Sequence, residues 1–535
     1  MFGSVIGTRS DGAAWRLGIG FSILSGMGLF LLLHGLALVY TGGFEHMVDD
    51  VYIHLAMASE IARGGYGVNL DEPASAASSI LYPFLLTPFA GTEIQRLLPV
   101  FWNALGVLAS CWLWGALVGR IMLPAASDRT FAFILVLLGP LALHLGGIGF
   151  VGMEHALQLA ATLAVIYGLA GFLQEKRLGW VLFAGILLGP VLRLENLGIS
   201  GAACAILLLL GRPMAALTIG VATLLPLAVF GWFLTSLGLE PIPSSIQTKF
   251  SGGGWQLDGQ PLRLRVLLFL NNLSVSVGRF MLGLCVLWVL IGLLVPHFRR
   301  MPQIALWLGI VAVGLAHLTF GRVGELLRYE VYAVVWMVGI SLLLIAPYLS
   351  GRNLLGSLTR AISLVVLILG FTHYTGTYVS FGPIASRTIH LQHAQMARFA
   401  QEVLKAPVAV NDLGRVAWRN PSYVLDLWGL ASVDALEVRR ASPAPGWAGP
   451  LAEARDVELA MIYESWLGRA VGPNWVLLGS LVTVLPTASA SEDTVLFYAT
   501  DPDDVARLAR LLAGFAQTLP NGAEFQFAPG IALAD

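Results

Sequence analysis

Two adjacent carboxylates, Asp49 and Asp50, stand in the run His46-Met47-Val48-Asp49-Asp50-Val51-Tyr52, directly after a long apolar segment. A charge at such an edge is costly unless it has a task or a partner. A carboxylate beside a lipid interface can act as a general base on a hydroxyl group. Further polar groups recur in later turns between apolar segments: His54; Glu154 and His155; Arg193, Glu195 and Asn196; Ser244, Ser245, Gln247 and Lys249; Arg322, Glu325, Arg328, Tyr329 and Glu330. Arg and Lys can grip phosphate oxygens and stabilise the charge that develops on a phosphate leaving group. Acids beside phosphate-binding bases fit glycosyl transfer from a lipid-phosphate donor.

The elements that must position these groups are membrane spans. Of 535 residues, 57% are hydrophobic and only 12% are charged, with a mean hydropathy of +0.77. Soluble chains carry about 25% charged residues, so the composition predicts a polytopic α-helical membrane protein. Cys111, Cys204 and Cys285 each lie in an apolar run and have no metal-ligand spacing. No basic tract points to nucleic acid. Arg9 and Arg16 precede an apolar run from Leu17 to Tyr40, which at ~1.5 Å per residue spans ~36 Å and reads as an uncleaved first span.

Residues 41–77 form a polar loop in which Val51 to Arg63 reads as a short amphipathic helix on the membrane surface, stopped by Gly64-Gly65-Tyr66-Gly67. Apolar segments follow at about 78–97, 99–121, 130–148, 153–173, 178–193, 196–211, 213–237, 272–296, 303–321, 328–349 and 357–379. Lys176-Arg177, Arg212, His297-Phe298-Arg299-Arg300 and Arg352 mark cytoplasmic turns. With the N-terminus in the cytoplasm, the acid pair and the turns at Glu154, Arg193 and Arg328 face the opposite side. That parity requires an even number of crossings between residues 50 and 154. The segment at 78–97, with Pro83 and Pro88 followed by Glu93 and Arg96, is the weakest; discounting one segment leaves about eleven spans.

Residues 380–535 change character. Short β-like runs at Val408-Val410, Tyr423-Leu425, Leu459-Ile462, Trp475-Leu478 and Val495-Tyr498 alternate with helical ones, and 502–518 reads as an amphipathic helix. This predicts a C-terminal soluble α/β domain outside the cytoplasm, behind a transmembrane domain over residues 1–379.

The ordered set of motifs resembles the integral-membrane glycosyltransferases of the GT-C fold that use polyprenyl-phosphate sugars, in the bacterial arabinofuranosyltransferase-like and mannosyltransferase-like branch. The resemblance rests on Asp49-Asp50-Val51-Tyr52-Ile53, Gly65-Tyr66-Gly67 and Ser78-Ser79-Ile80-Leu81-Tyr82-Pro83. It continues through Gly152-Met153-Glu154, Leu192-Arg193-Leu194-Glu195, the Pro243-Ser244…Lys249 turn, Arg328-Tyr329, Val408–Gly414 and Val424–Leu430. Leu194 and Ser244 depart from the proline and asparagine usual in that family. The resemblance implies Asp49 or Asp50 as catalytic base and an inverting displacement. It also implies a multi-pass protein of the bacterial plasma membrane, with a polyprenyl-phosphate sugar as donor and a cell-envelope glycan or glycolipid as acceptor.

Each residue also has a plainer reading. Asp49 and Asp50 suit a helix N-terminus, although one acid would suffice to cap it. Glu154 is a substrate-site group or a solvated loop end. His54 and His155 suit satisfied interface histidines, with His54 kept as a substrate-site candidate. Arg193 and Glu195, two apart, cannot pair on one helix face; a broken turn would free both. Lys249 and Arg328, with Arg193, are the phosphate-ligand candidates, against a role at lipid headgroups. Arg322, Glu325 and Arg328 also fit a helical ion-pair ladder. Ser244 and Tyr329 complete the substrate-site candidates. Asp412 and Asp426 sit beside expected strands and receive no catalytic role. No obligatory metal or other cofactor is expected, a divalent cation remaining possible. The alternative function is a transporter or flippase of lipid-linked saccharides.

Overall fold

The computed structural model describes residues 9–122, 129–246, 261–349, 351, 353–441 and 443–531. The chain is mostly helical, with a small sheet near its C-terminus. Among the described residues nine helices are long and apolar enough to cross a membrane. They are Trp15–Thr41, Glu93–Met122, Arg129–Val151, His155–Glu175, Pro213–Ser236, Ser276–Leu294, Gln303–Phe320, Val331–Leu349 and the helix beginning at Leu354. Trp180–Leu192 and Leu194–Leu209 are apolar but shorter. This is the architecture of a polytopic helical protein.

The doubtful segment at 78–97 makes no spanning helix. It holds one turn, Tyr82–Leu85, then a bend, then a tight 3-10 turn at Glu93–Leu97 that opens the next helix. The prolines at 83 and 88 explain this, since each removes a backbone donor and crowds the preceding turn. The last long helix runs from Leu354 to Leu404 with wider π turns at Phe371–Gly376 and Phe399–Leu404. At ~1.5 Å per residue it is far longer than a ~30 Å bilayer core, so only part of it can lie in hydrocarbon.

The chain gathers into two compact units. The first comprises residues 1–33, 100–229 and 257–379 and is helix on helix. Helices His155–Glu175 and Trp180–Leu192 pack closely through small residues. A Cβ at Gly168 would lie 2.5 Å from Leu182 Cβ, and one at Gly185 would lie 2.6 Å from the Ala161 carbonyl oxygen. Between membrane helices, where lipid is as apolar as leucine, such close backbone approach is a main source of association.

The second unit comprises residues 34–99, 230–256 and 380–535, so the first polar loop and the C-terminal segment belong together. Its sheet has six strands: β1 (Val408–Val410), β2 (Val424–Asp426), β3 (Leu459–Ile462), β4 (Val476–Thr483), β5 (Thr494–Ala499) and β6 (Ala523–Phe527). The order is β2-β1-β3-β5-β4-β6. β2, β1 and β3 run parallel, and the remaining pairs are antiparallel. The parallel strands are buried on both faces, as expected of strands covered on both sides. Ala409, Leu425, Ala460 and Ile462 pack with Ala448 and Leu467 into a core. Helix Val505–Ala516 closes the sheet with Leu508, Leu512 and Phe515, a 3.6-residue stripe. At the β2 edge the Asn69 side chain accepts from Val424 N–H at 3.0 Å and donates to Val424 C=O at 3.0 Å. One amide thus satisfies the strand as a neighbouring strand would.

The helix of the first polar loop, Asp50–Ala62, corrects the expectation of a surface amphipathic helix. Every residue from Val51 to Glu60 is buried. Its polar residues find interior partners within the unit: His54 lies 3.3 Å from Ser78 Oγ, and Ser59 donates to Gln95 Oε1 at 3.1 Å. Residues around 77–95 and 414–418 pack on it, so these side chains face protein.

Candidate functional site

In the second unit the chain leaves its first span through Gly42 and Gly43 and buries Glu45. The Tyr52 hydroxyl donates to Glu45, and Arg96 and Arg415 reach it at 3.7 and 3.5 Å. Arg415 also lies 5.2 Å over the Tyr52 ring, so cation and phenol hold one buried acid together. His46 Nε2 meets the Arg96 carbonyl at 2.9 Å. Burial pushes its imidazole down to about 3, leaving it neutral.

Asp49 occupies the N-cap position of helix Asp50–Ala62, yet its side chain makes no capping hydrogen bond to that helix. It caps another one. Oδ2 accepts from Gly414 N–H at 2.7 Å and Oδ1 from Arg415 N–H at 2.8 Å, at the start of the turn Gly414–Ala417. Gly414 permits this approach, since a Cβ there would lie 2.2 Å from the Asp49 carbonyl oxygen. The half-buried carboxyl is pushed up to about 6. Burial is the chief cause; the charge of His393 pulls it down, that of Asp412 pushes it up, and the two N–H donors pull it down. Asp50 sits in the first turn of the helix, half-buried.

Asp412 lies two residues before Gly414, and its Oδ2 is 3.1 Å from His393 Nε2. His393 is fully buried. Tyr463 donates its hydroxyl to Gln392 Oε1 at 2.5 Å, and its N–H to Asn411 Oδ1 at 2.9 Å. The sequence reading missed His393 and gave Asp412 no role. The available signal was the polar run Arg387 to Gln395, too polar for a membrane span and too buried here to be a solvated one. Asp426, the other acid set aside, is committed to its own loop. It accepts from the N–H groups of Trp428, Leu430 and Ala431 at 2.8, 2.5 and 2.8 Å.

The remaining candidates in this unit are packed into its interior. His54 lies against Ser78 and edge-on to Tyr82. The Ser244 hydroxyl donates to the Leu430 carbonyl at 2.6 Å, and its N–H donates to Ser75 Oγ at 2.9 Å. Lys249 and Gln247 lie outside the described residues.

The first unit brings together a second group. Helix Trp180–Leu192 ends after Gly189-Pro190, and Arg193 turns into extended backbone, φ −151° and ψ 129°. That break lets Arg193 and Glu195 meet despite their spacing. Nη2 lies 2.7 Å from Glu195 Oε1 and Nε 3.2 Å from Oε2, while Nη1 reaches Glu154 Oε1 at 2.8 Å. Glu154 and Arg193 are buried; Glu195 is 36% exposed and is the partner open to exchange. Burial opposes the guanidinium charge, and the two carboxylates outweigh it, so Arg193 is held more firmly protonated than usual.

Arg328 joins this group through a ring. Arg193 and Arg328 lie 5.4 and 5.0 Å from the centre of Tyr329, against which His155 stacks at 6.4 Å. Four of the candidates, Glu154, Arg193, Glu195 and Arg328, therefore share one surrounding with Tyr329. The expected ion-pair ladder over 322–328 does not form as a right-handed helix. Gly324, Glu325, Leu326 and Leu327 have successive φ values of 99°, 49°, 62° and 56°, a left-handed turn costing about 1–2 kcal/mol per non-glycine residue. The Arg322–Glu325 pair of the ladder is made, at 3.1 Å. Glu330 Oε2 accepts from Gly324 N–H at 2.9 Å, and the Tyr378 hydroxyl donates to the Leu326 carbonyl at 2.5 Å. These bonds hold the turn against its strain and fix where Arg328 begins.

Among the described residues no group of three or more His, Cys, Asp or Glu side chains is arranged to hold a metal ion. Comparison with curated proteins returns no match. Residues 384–498 match the family model described as Domain of unknown function (DUF8728); that stretch contains His393, Asp412, Gly414 and Tyr463.

Proposed function

We propose that the protein is a GT-C-type glycosyltransferase, moving a sugar from a polyprenyl-phosphate carrier to a hydroxyl of a cell-envelope glycan or lipid. The observation that carries this reading is Asp49: a half-buried carboxylate, fixed in orientation by two backbone N–H groups and poised at about 6. A general base works best with a proton affinity near the working pH. Each oxygen receives one N–H, which leaves a lone pair for the acceptor hydroxyl.

In the reaction the acceptor oxygen attacks the anomeric carbon and its proton passes to Asp49. The bond from that carbon to the phosphate oxygen breaks, and the electron pair leaves with the phosphate. One displacement inverts the anomeric centre. Within the first unit, Arg328 and Arg193, gathered on Tyr329, form a cationic group of the kind that binds a lipid phosphate. Glu195 is the half-exposed group a phosphate would displace from Arg193. An apolar cavity of about 440 Å³ in the same unit, lined by Val277, Phe280, Val334, Val338, Val366 and Tyr374, suits an isoprenoid chain. With guanidinium groups in charge of the phosphate, turnover persists in a chelator. A donor delivered on lipid fits chemistry on the outer side of a plasma membrane.

The test is transfer by the purified protein in nanodiscs, using a panel of polyprenyl-phosphate sugars and envelope-glycan acceptors read by mass spectrometry. Transfer that is lost in Asp49→Asn, with donor binding retained, supports the reading. Full transfer by both Asp49→Asn and Asp50→Asn overturns the assignment of the base.

A further inference from the structure

The Asp49 carboxylate does not stand alone in its unit. The turn that binds it through Gly414 and Arg415 follows Asp412 by two residues, so one short segment supplies both its two N–H donors and an acid whose charge it feels. Asp412 in turn holds His393 at 3.1 Å. His393 is fully buried, and its Nδ1 has no hydrogen-bond partner among the described residues. The imidazole is thus placed by one carboxylate and faces Asp49, Asp412 and Glu45 electrostatically. Tyr463, just after β3, faces Asp412, Asp49 and Glu492, and Arg415 is turned away to Glu45 at 3.5 Å.

A buried imidazole against a carboxylate needs a reason. Burying an ion pair costs free energy for each charge taken out of water, and apolar residues of like size often serve stability as well. No apolar side chain can replace the pair's other property, a cation and an anion set beside a third titrating group.

We propose that His393 and Asp412 are positioning residues for the base: Asp412, paired with His393 at 3.1 Å, stands two residues before the N–H donors that hold Asp49, and the pair completes the site from the C-terminal segment. The proposal rests on the reading of Asp49 as a general base. His393 keeps the acid ionised down to the working pH. Asp412 orients His393 and stops the cation from making Asp49 too weak a base. The site is therefore assembled from two distant stretches, residues 45–52 and 393–415, and neither stretch alone has a tuned acid.

The experiment uses the full chain in nanodiscs with two readouts. In the pH–rate profile of transfer, His393→Gln moves the acid limb upward by about one pH unit and recovers near wild-type turnover on the alkaline plateau. Adding Asp412→Asn to His393→Gln moves the limb back down, because only a repelling charge is then removed. A purely structural role lowers the rate at every pH and leaves the limb in place, which overturns the proposal. The second readout needs no substrate: infrared titration of the protonated-carboxyl band that Asp49→Asn abolishes. The same upward shift in His393→Gln supports the proposal even where no sugar transfer is found; an unmoved band overturns it. Should His393→Gln fail to fold, His393→Asn, a smaller amide, carries both readouts.

Discussion

Asp49 Oδ2 accepts a hydrogen bond from Gly414 N–H across 2.7 Å, joining residues 365 positions apart. The same carboxylate is therefore both a structural tie and the proposed base, and the two roles separate by substitution. Asp49→Asn keeps one acceptor oxygen but turns an amide N–H₂ toward the other donor. Transfer should fall about 10²–10⁴-fold, the usual contribution of a positioned general base. Stability should fall by about 1–2 kcal/mol for the donor left unmet. Asp50→Asn leaves both of those ties in place and should keep more of the transfer rate. Initial rates and thermal unfolding of the same preparations measure the two effects.

Gly414→Ala tests the tie without touching a charge. The new Cβ would lie 2.2 Å from the Asp49 backbone oxygen and 2.8 Å from Oδ2, so the turn must move away from the carboxylate. We expect a loss of about 1–3 kcal/mol and a lower kcat at every pH. Gly514→Ala is the control. It sits in helix Val505–Ala516 with open space around it and should be neutral or stabilising by about 0.5–1 kcal/mol. Equal behaviour of the two variants in thermal unfolding would contradict the close contact.

Removing Arg193 deletes the guanidinium that sits 2.8 Å from the buried Glu154 carboxylate. Arg193→Ala should therefore destabilise by about 3–5 kcal/mol, and Arg193→Met combined with Glu154→Leu should recover much of that loss. Arg193→Lys keeps the charge but loses the fork that spans Glu154 and Glu195, so an intermediate loss is expected. Unfolding in mixed micelles, run as a double-mutant cycle, measures the coupling.

Asp426 should subtract stability as pH rises from about 4 to about 6, against His46, whose lowered imidazole adds stability over much of the same range. Asp426 is fully buried, and burial pushes its carboxyl from 3.8 up to about 6 despite the backbone N–H groups that pull it down. The folded state thus holds the proton more tightly than the unfolded one. Its stabilising contribution is complete below 3.8 and is lost as pH rises through 6, at most about 3 kcal/mol. Asp49 acts in the same direction. The gap in thermal midpoint between wild type and Asp426→Asn, which isolates this group, should therefore narrow as pH rises from 4 to 7.

Much of the local structure was legible in the residues. The helix after Asp49 runs Asp50–Ala62 against an expected Val51 to Arg63, because Gly64 is a strong stop. Five strands fall within a few residues of their apolar runs. β6 was overlooked although Phe525 and Phe527 alternate with Glu524 and Gln526 as a strand should. What periodicity could not reveal was who covers whom. Tyr52, His54 and Glu60 interrupt the apolar stripe of their helix, which looks like a wet face until buried partners for them are known. The left-handed turn opens on Gly324, but Glu325, Leu326 and Leu327 continue it with residue types that rarely adopt it; tertiary bonds from Glu330 and Tyr378 impose it. The candidate site was legible where single turns carry it, as at Arg193 and Glu195. It was hidden where it depends on long-range return of the chain, as at His393 and Asp412.

The Asn69 amide that seals the β2 edge has a consequence for how the molecule is made. During synthesis the N-terminal part of a chain emerges first, so Asn69 is outside the ribosome long before Val424. The sheet's exposed edge consequently meets a finished cap as soon as it forms. For most strand edges the hazardous interval is the wait for a neighbour, when another nascent chain can pair with the bare backbone. Here the order of translation shortens that interval, at the cost of a loop that must wait some 355 residues for its partner.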